Sequence, residues 1–466
     1  MYKIIRKPLL LLLFCFFIAS VAKAQFTVSG QVRTRTEYRN GQGTPQIKDT
    51  TAAVFTSQRT RLNFGYTGYR FKLFTAVQDV RVWGQDASSI NRTTTDANDG
   101  FMLHEAWGEI SLVDTGKVVK NFTLKIGRQE LVYDDVRLLG NLDWLQQARR
   151  HDAALLKFEH KGWMIHLGAA YNQNAERKSN TIYNGTPTAY AASTNGMSTN
   201  YKSMQFLYIG KKLAFGNGSL LLFKDDFSRY HFAATDVNKT TPIYEKGVRS
   251  RYTMGGNLFG TAFRKLGFAA TAFYQAGHYK DGTKLNEYLF SLSTSYALTR
   301  KFSVGPGADI TSGNNGSDPT KANKRFDPLY GTPHKFWGYM DYFYVADGFK
   351  SNGLIDYYLK AKYKLKDNLT LTLDGHRFVL PSAVTASDNV TPVKEKALGT
   401  EIDFVFNYAM TKVVTIEGGY STMFSTNTML STKVKGTAKI NQNTAAKTAD
   451  WAYLMISIKP DFTFKN

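Results

Sequence analysis

The chain nearly lacks cysteine: Cys15 is the only one in 466 residues. It sits between Phe14 and Phe16, whereas an acylated lipoprotein cysteine would have small neighbours. A disulfide framework and a thiolate metal site are therefore excluded. Long apolar runs are equally scarce. The one present, residues 9–18, is shorter than the roughly 20 residues a membrane helix requires. Acidic residues are the third shortage, with 37 Asp and Glu against 59 Lys and Arg, for a formal charge of +22. That balance suits anionic partners, with nucleic acid and lipopolysaccharide phosphates as the competing kinds.

Residues 1–24 read as a secretory signal peptide. Lys3, Arg6 and Lys7 precede the apolar run, and Ala22-Lys23-Ala24 supplies small residues for cleavage before Gln25. Its four basic residues lower the formal charge from +22 to +18 when removed. Export argues against nucleic acid as a partner. Residues 25–466 contain no linker or composition break and read as one domain.

What the rest of the chain has is a rhythm. Strand-like stretches of about ten to fourteen residues are joined alternately by very short and long connections. Eighteen are expected: 26–38, 54–66, 70–83, 101–112, 122–130, 152–160, 163–173, 201–213, 217–230, 250–264, 266–279, 285–298, 301–312, 353–366, 368–380, 397–410, 412–425 and 450–463. Short turns fall at 67–69, 161–162, 215–216, 265, 299–300, 367 and 411. The long connections, 130–151, 174–200, 313–352 and 426–449 among them, would all leave the opposite rim. In lipid every backbone N–H and C=O must be paired within the protein, so a sheet spans only when it closes on itself. An even number of strands, tight turns on one rim and loops on the other form the layout of a transmembrane antiparallel β-barrel. Half-apolar strands also reconcile this reading with a mean hydropathy of −0.32. Aromatics, 14% of the chain, fall near strand ends as interfacial girdles do.

Alternation assigns the faces. Gln31, Arg33, Arg35 and Glu37 share one side of the first strand, and Arg59, Arg61 and Asn63 share one side of the second. Asp356, Tyr358, Lys360 and Lys362 do so later, as do Glu401, Asp403 and Asn407. An Arg turned to the bilayer midplane costs about 2–4 kcal/mol, so these sets belong in the lumen. A soluble barrel would invert the pattern; eighteen long strands and an export signal favour the membrane.

Three segments stand out: Gln78-Asp-Val-Arg-Val-Trp-Gly84, Ile126-Gly-Arg-Gln-Glu130 with its charged continuation to Asp152, and Arg325-Phe-Asp-Pro-Leu-Tyr-Gly-Thr-Pro-His-Lys-Phe-Trp-Gly-Tyr-Met-Asp341. On these segments, in this order, the chain resembles the alginate-export family of outer-membrane porins from about Phe26 onward. The resemblance implies an eighteen-stranded barrel in the outer membrane of a Gram-negative bacterium, with an arginine-rich lumen for a polyanionic polysaccharide. On the matching positions it places Asp79, Arg81, Arg128, Glu130, Arg137, Arg149 and Asp152 in that lumen. Asp135-Val136 and Leu155 depart from the family pattern.

The residue chemistry agrees. Arg presents a planar, permanently charged fork that fits carboxylates, and several in a narrow lumen favour anions. Bracing of the wall by Arg–carboxylate ladders accounts for about half of these charges. Catalysis finds little support. None of the eight histidines has Ser two residues on, as a barrel phospholipase requires, and Asp374-x-His376 lacks an accompanying Asp-x-Asp pair. His104 and Glu105 read as a rim residue and a wall charge rather than metal ligands, and 309–318 as a plain turn rather than a calcium loop. Neither a cofactor nor a metal is expected.

The reading is therefore a passive, anion-selective porin embedded among outer-membrane lipid and lipopolysaccharide. It would pass an acidic polysaccharide or its fragments, or alternatively small organic anions in general. The aromatic stretch 313–352 should fold into the mouth as a constriction, with Trp337 and Tyr339 facing either the passing sugar or the wall.

Overall fold

The computed structural model describes residues 25–85, 101–114, 121–173, 200–238, 241–314, 324–345, 350–385, 392–393 and 395–462, with residues 176, 178, 179 and 183 between. The expected signal peptide lies outside the described residues, as does the 309–318 stretch beyond Asn314.

Residues 25–171 contribute β1 (Gln25–Asn40), β2 (Ala53–Gly68), β3 (Phe71–Val82), β4 (Phe101–Ser111), β5 (Asn121–Gln129), β6 (His151–His160) and β7 (Trp163–Tyr171). They are followed by β8 (Ser203–Leu213), β9 (Gly216–Phe232), β10 (Pro242–Ala262), β11 (Leu266–His278), β12 (Lys284–Ala297) and β13 (Phe302–Thr311). A long loop with one 3-10 turn, Pro333–Lys335, leads to β14 (Ile355–Lys366) and β15 (Leu369–Val379). The short β16 (Val384–Thr385) and β17 (Pro392–Val393) pair with each other in the next loop. Then come β18 (Ala397–Ala409), β19 (Val414–Ser425) and β20 (Thr448–Ile458).

The other eighteen strands form one sheet with antiparallel pairing. Because β1 pairs with both β2 and β20, the sheet closes and leaves no edge open to lipid. Among the described residues no helix is long and apolar enough to cross a membrane; the strands make the crossing. At the short-turn, periplasmic rim, Lys161 (φ 47°) and Gly162 (φ 78°) connect β6 to β7. Both positive φ values suit a two-residue turn whose twist matches the strands.

Side-chain parity separates two solvents. Outside, Leu220, Leu222, Leu292 and Leu359 are each more than half exposed, toward lipid. Inside, Gln31, Arg33, Arg35 and Glu37 of β1 and Asp356, Glu401 and Asp403 farther round are buried. They are buried because loops from the extracellular rim fold down against them.

Two loops do this. Residues 324–345 fold inward as expected, and Phe326, Trp337, Met340, Tyr342, Phe343 and Tyr344 become at most 1% exposed. Phe343 meets Phe378 of β15 with ring centroids 4.6 Å apart, and Trp337 meets Tyr344 at the same separation. Loop 130–150 also folds inward from that rim and brings Arg137 into the lumen. Leu131, Leu138, Leu139 and Leu142 give it an apolar side that is buried, and burial in the lumen removes that surface from water. The loops also join each other: Gly140 N–H donates to the Tyr330 carbonyl at 3.0 Å, and Tyr330 N–H to that of Leu138 at 2.9 Å.

Candidate functional site

Strands β1 and β2 build the basic wall of the lumen. Their register sets Arg33 opposite Arg59 and Gln31 opposite Arg61, so four arginines, Arg33, Arg35, Arg59 and Arg61, gather on one face. Loop 130–150 lowers one carboxylate into this group. Asp143 Oδ2 accepts from Arg33 Nη1 at 3.0 Å and Asp143 Oδ1 from Arg59 Nη2 at 2.7 Å. Burial alone would raise the Asp143 pKa, but Arg33 and Arg59 outweigh it and hold the carboxyl down at about 2. Arg33 Nε also donates to Gln146 Oε1 at 3.0 Å. Arg35 Nη1 donates to the Trp144 carbonyl at 2.6 Å, while its guanidinium lies 4.1 Å over the Trp144 ring. Glu37 accepts from Arg35 Nε at 2.9 Å.

Arg61 is held differently. Its Nε and Nη2 donate to Gln78 Oε1 at 3.0 and 2.8 Å, and Nη1 stands 3.7 Å from Glu130. Arg59 and Arg61 border a cavity of about 310 Å³ beneath Asp143, which Gln31, Asn63 and Lys459 also line. A second cavity, of about 720 Å³, opens beside the periplasmic turn at Lys161 and Gly162; Asp134, Asp135, Glu159 and Tyr208 are among its lining. Lys161, Lys211 and Lys212 line it as well, so its charges balance.

The remaining expected residues divide. Glu105 and Glu130 lie on the lumenal side, where Glu130 N–H donates to Glu105 Oε2 at 3.0 Å. Arg137 is buried and braces the loop: Nη1 donates to Asp309 Oδ2 at 2.6 Å and Nη2 to Ser291 Oγ at 3.1 Å. Arg149 donates to the Gly331 carbonyl at 2.5 Å, and burial pushes its pKa down to about 10. Arg137 ties its loop to the wall, and Arg149 ties that loop to the 324–345 loop.

Asp79, Arg81, Arg128 and Asp152 require a correction, because they face outward. Lumenal Arg61 pairs across the sheet with Gln78, so the next residue, Asp79, and Arg81 point the other way. Arg128 and Asp152 are paired across β5 and β6 on the same face as lipid-exposed Ile126. Each acid neutralises its neighbour there: Arg81 Nε lies 2.6 Å from Asp79 Oδ2, and Arg128 Nε 2.8 Å from Asp152 Oδ1. The motifs marked the right strands, but strand alternation, followed from Arg61, gives the opposite face.

Trp337 matches the packed alternative in its burial. It is buried in the loop core beside Phe336 and Tyr344 and presents no ring face to the lumen. Tyr339 is partly buried, its ring 5.4 Å from that of His334. Several lumenal groups escaped the sequence reading. Asp143 sat inside a quoted motif without a role, because nothing local says that a loop carboxylate will return to strands far away in sequence. Gln78, which positions Arg61, was identifiable by parity.

Comparison with known proteins agrees with this architecture. The alginate-export family model matches residues 24–439. No curated protein matches the chain significantly. Among solved structures, OpdO of Pseudomonas aeruginosa shares 13% identity with a TM-score of 0.56, covering 94% of this chain and 98% of its own. OccAB4 of Acinetobacter baumannii shares 9% identity with a TM-score of 0.58, again covering 94% and 98%. OccK2 (OpdF) of P. aeruginosa, solved in complex with glucuronate, shares 13% identity with a TM-score of 0.58, covering 94% and 97%.

Proposed function

The chain belongs to the alginate-export family and is an outer-membrane channel, and from that premise we propose that it passes acidic sugars along the Arg59–Arg61 side of its lumen. The observation that carries this reading is the clamp on Asp143. Two guanidiniums on neighbouring strands already hold one carboxylate between them, so the site has the charge and the fork geometry for a uronate. Asp143 stands where a solute carboxylate would bind and competes with it, so that transit needs no strongly bound state.

Uronate fragments fit better than a thick polymer. Loops 130–150 and 324–345 both occupy the lumen, and the 310 Å³ cavity below the clamp is at the low end of ordinary small-molecule sites, about 300–1,000 Å³. The glucuronate complex of OccK2 supports the same solute class. The second reading, a porin for small organic anions in general, rests on the same arginines without any preference for a sugar ring. The two part in a planar bilayer. Oligouronates should block single-channel current transiently at concentrations where acetate does nothing. Equal effects of acetate and oligouronate would favour the general porin.

A further inference from the structure

A feature of β4 and β5 has no part in holding a uronate. Strand alternation breaks in β4: Ala76 pairs with Glu105, but the next residue, Val77, pairs with Leu103. His104 is therefore the extra residue of a β-bulge, a device that re-aims side chains at functional positions. With alternation suspended, consecutive His104 and Glu105 both reach Glu130, the first residue beyond β5. One donor atom from each of the three lies within 4.8 Å of the other two. His104 Nε2 is 2.8 Å from Glu130 Oε1. Trp107 Nε1 donates to Glu105 Oε2 at 3.2 Å, and Asn141 Nδ2 to Glu130 Oε2 at 2.8 Å.

Two carboxylates at this separation repel each other unless a positive charge stands with them. Arg61 contributes at 3.7 Å from Glu130, but its Nε and Nη2 are turned to Gln78. His104 is wholly buried, and its Nδ1 has no hydrogen-bond partner. A ring flip exchanges the two nitrogens without moving the ring plane. The cluster thus holds two acids and an imidazole with a nitrogen to spare.

We propose that His104, Glu105 and Glu130 form a divalent-metal site of the zinc class at the root of loop 130–150. One imidazole and two carboxylates make a mixed nitrogen–oxygen donor set that suits Zn²⁺, whereas Ca²⁺ and Mg²⁺ favour oxygen alone. Three protein ligands leave the remaining position to water or a solute oxygen. Because Glu130 begins the loop that carries Asp143, the metal fixes the clamp from its base.

The test uses the full barrel in detergent, stripped with chelator and titrated with Zn²⁺ in a calorimeter, with Ca²⁺ and Mg²⁺ in parallel. One equivalent of Zn²⁺ should bind, with Ca²⁺ and Mg²⁺ at least tenfold weaker. His104→Ala and the isosteric Glu105→Gln should each weaken Zn²⁺ at least tenfold while the barrel keeps its far-ultraviolet β spectrum. Absence of stoichiometric Zn²⁺ binding, or folded variants that bind it as well as the parent, would overturn the site. Calcium binding as tight as zinc would overturn the assigned class.

Discussion

Arg59 on β2 and Asp143 on loop 130–150 are 84 residues apart in sequence and 2.7 Å apart in space. This contact places a loop carboxylate on the basic wall, and the Arg59 side chain is almost fully buried against it. Asp143 itself remains 45% exposed, so solvent reaches the clamp from one side.

Asp143→Asn should loosen the loop and free two arginines. The partial exposure screens the pair and limits the stability loss to about 1 kcal/mol. Anion preference in a salt gradient should rise, because the wall loses its internal counter-charge. An unchanged reversal potential would mean that Arg33 and Arg59 do not face the permeating path.

The clamp should also respond to acid. Asp143 falls from an ordinary 3.8 to about 2. Its contribution is fully present above about pH 4 and is lost as pH falls through about 2. Single-channel conductance should therefore show no clamp-dependent step from pH 7 to 4, then a step below pH 3 that Asp143→Asn removes. A clamp-dependent step near neutrality would contradict this.

Outward placement of Arg81 and Arg128 predicts that Ser at both positions leaves ion selectivity unchanged. A clear drop in anion preference would return these residues to the lumen and overturn the parity assigned to β3 and β5.

Trp337→Ala removes a fully buried indole from the loop core, a change that costs about 3–5 kcal/mol in a packed core. The expected result is a lower unfolding temperature in detergent together with a noisier open channel. A variant as stable as the parent, with shortened oligouronate blocks as its only defect, would show that the ring meets solute.

Much of the fold was legible because lipid imposes a strict period on a spanning strand. Gln31, Arg33, Arg35 and Glu37 alternate with apolar or neutral residues, and eighteen such stretches with one tight rim leave little besides a closed barrel. The basic wall was legible for the same reason. The placement of Asp79, Arg81, Arg128 and Asp152 was missed because a motif names residues without naming the face. His104 shows a further limit: a one-residue bulge changes which neighbours share a side, and no local pattern announces it. Loop 130–150 carried a signal in Leu131, Leu138, Leu139 and Leu142, a set too apolar to remain in water.

Sidedness can be checked with introduced cysteines, since Cys15 is the chain's only one. Val237, 86% exposed in the β9–β10 loop, and Phe263, 91% exposed in the β10–β11 turn, mark opposite rims. A membrane-impermeant maleimide should label Val237→Cys on intact cells and Phe263→Cys only after the outer membrane is breached. The reverse pattern would invert the barrel.

The central claim, an arginine wall that favours anions, is tested most directly by the reversal potential across a planar bilayer under a salt gradient. The parent channel should favour anions over cations, and Arg59→Ser with Arg61→Ser should reduce that preference without closing the channel. Cation preference in the parent, or a double variant with unaltered reversal potential, would contradict the account.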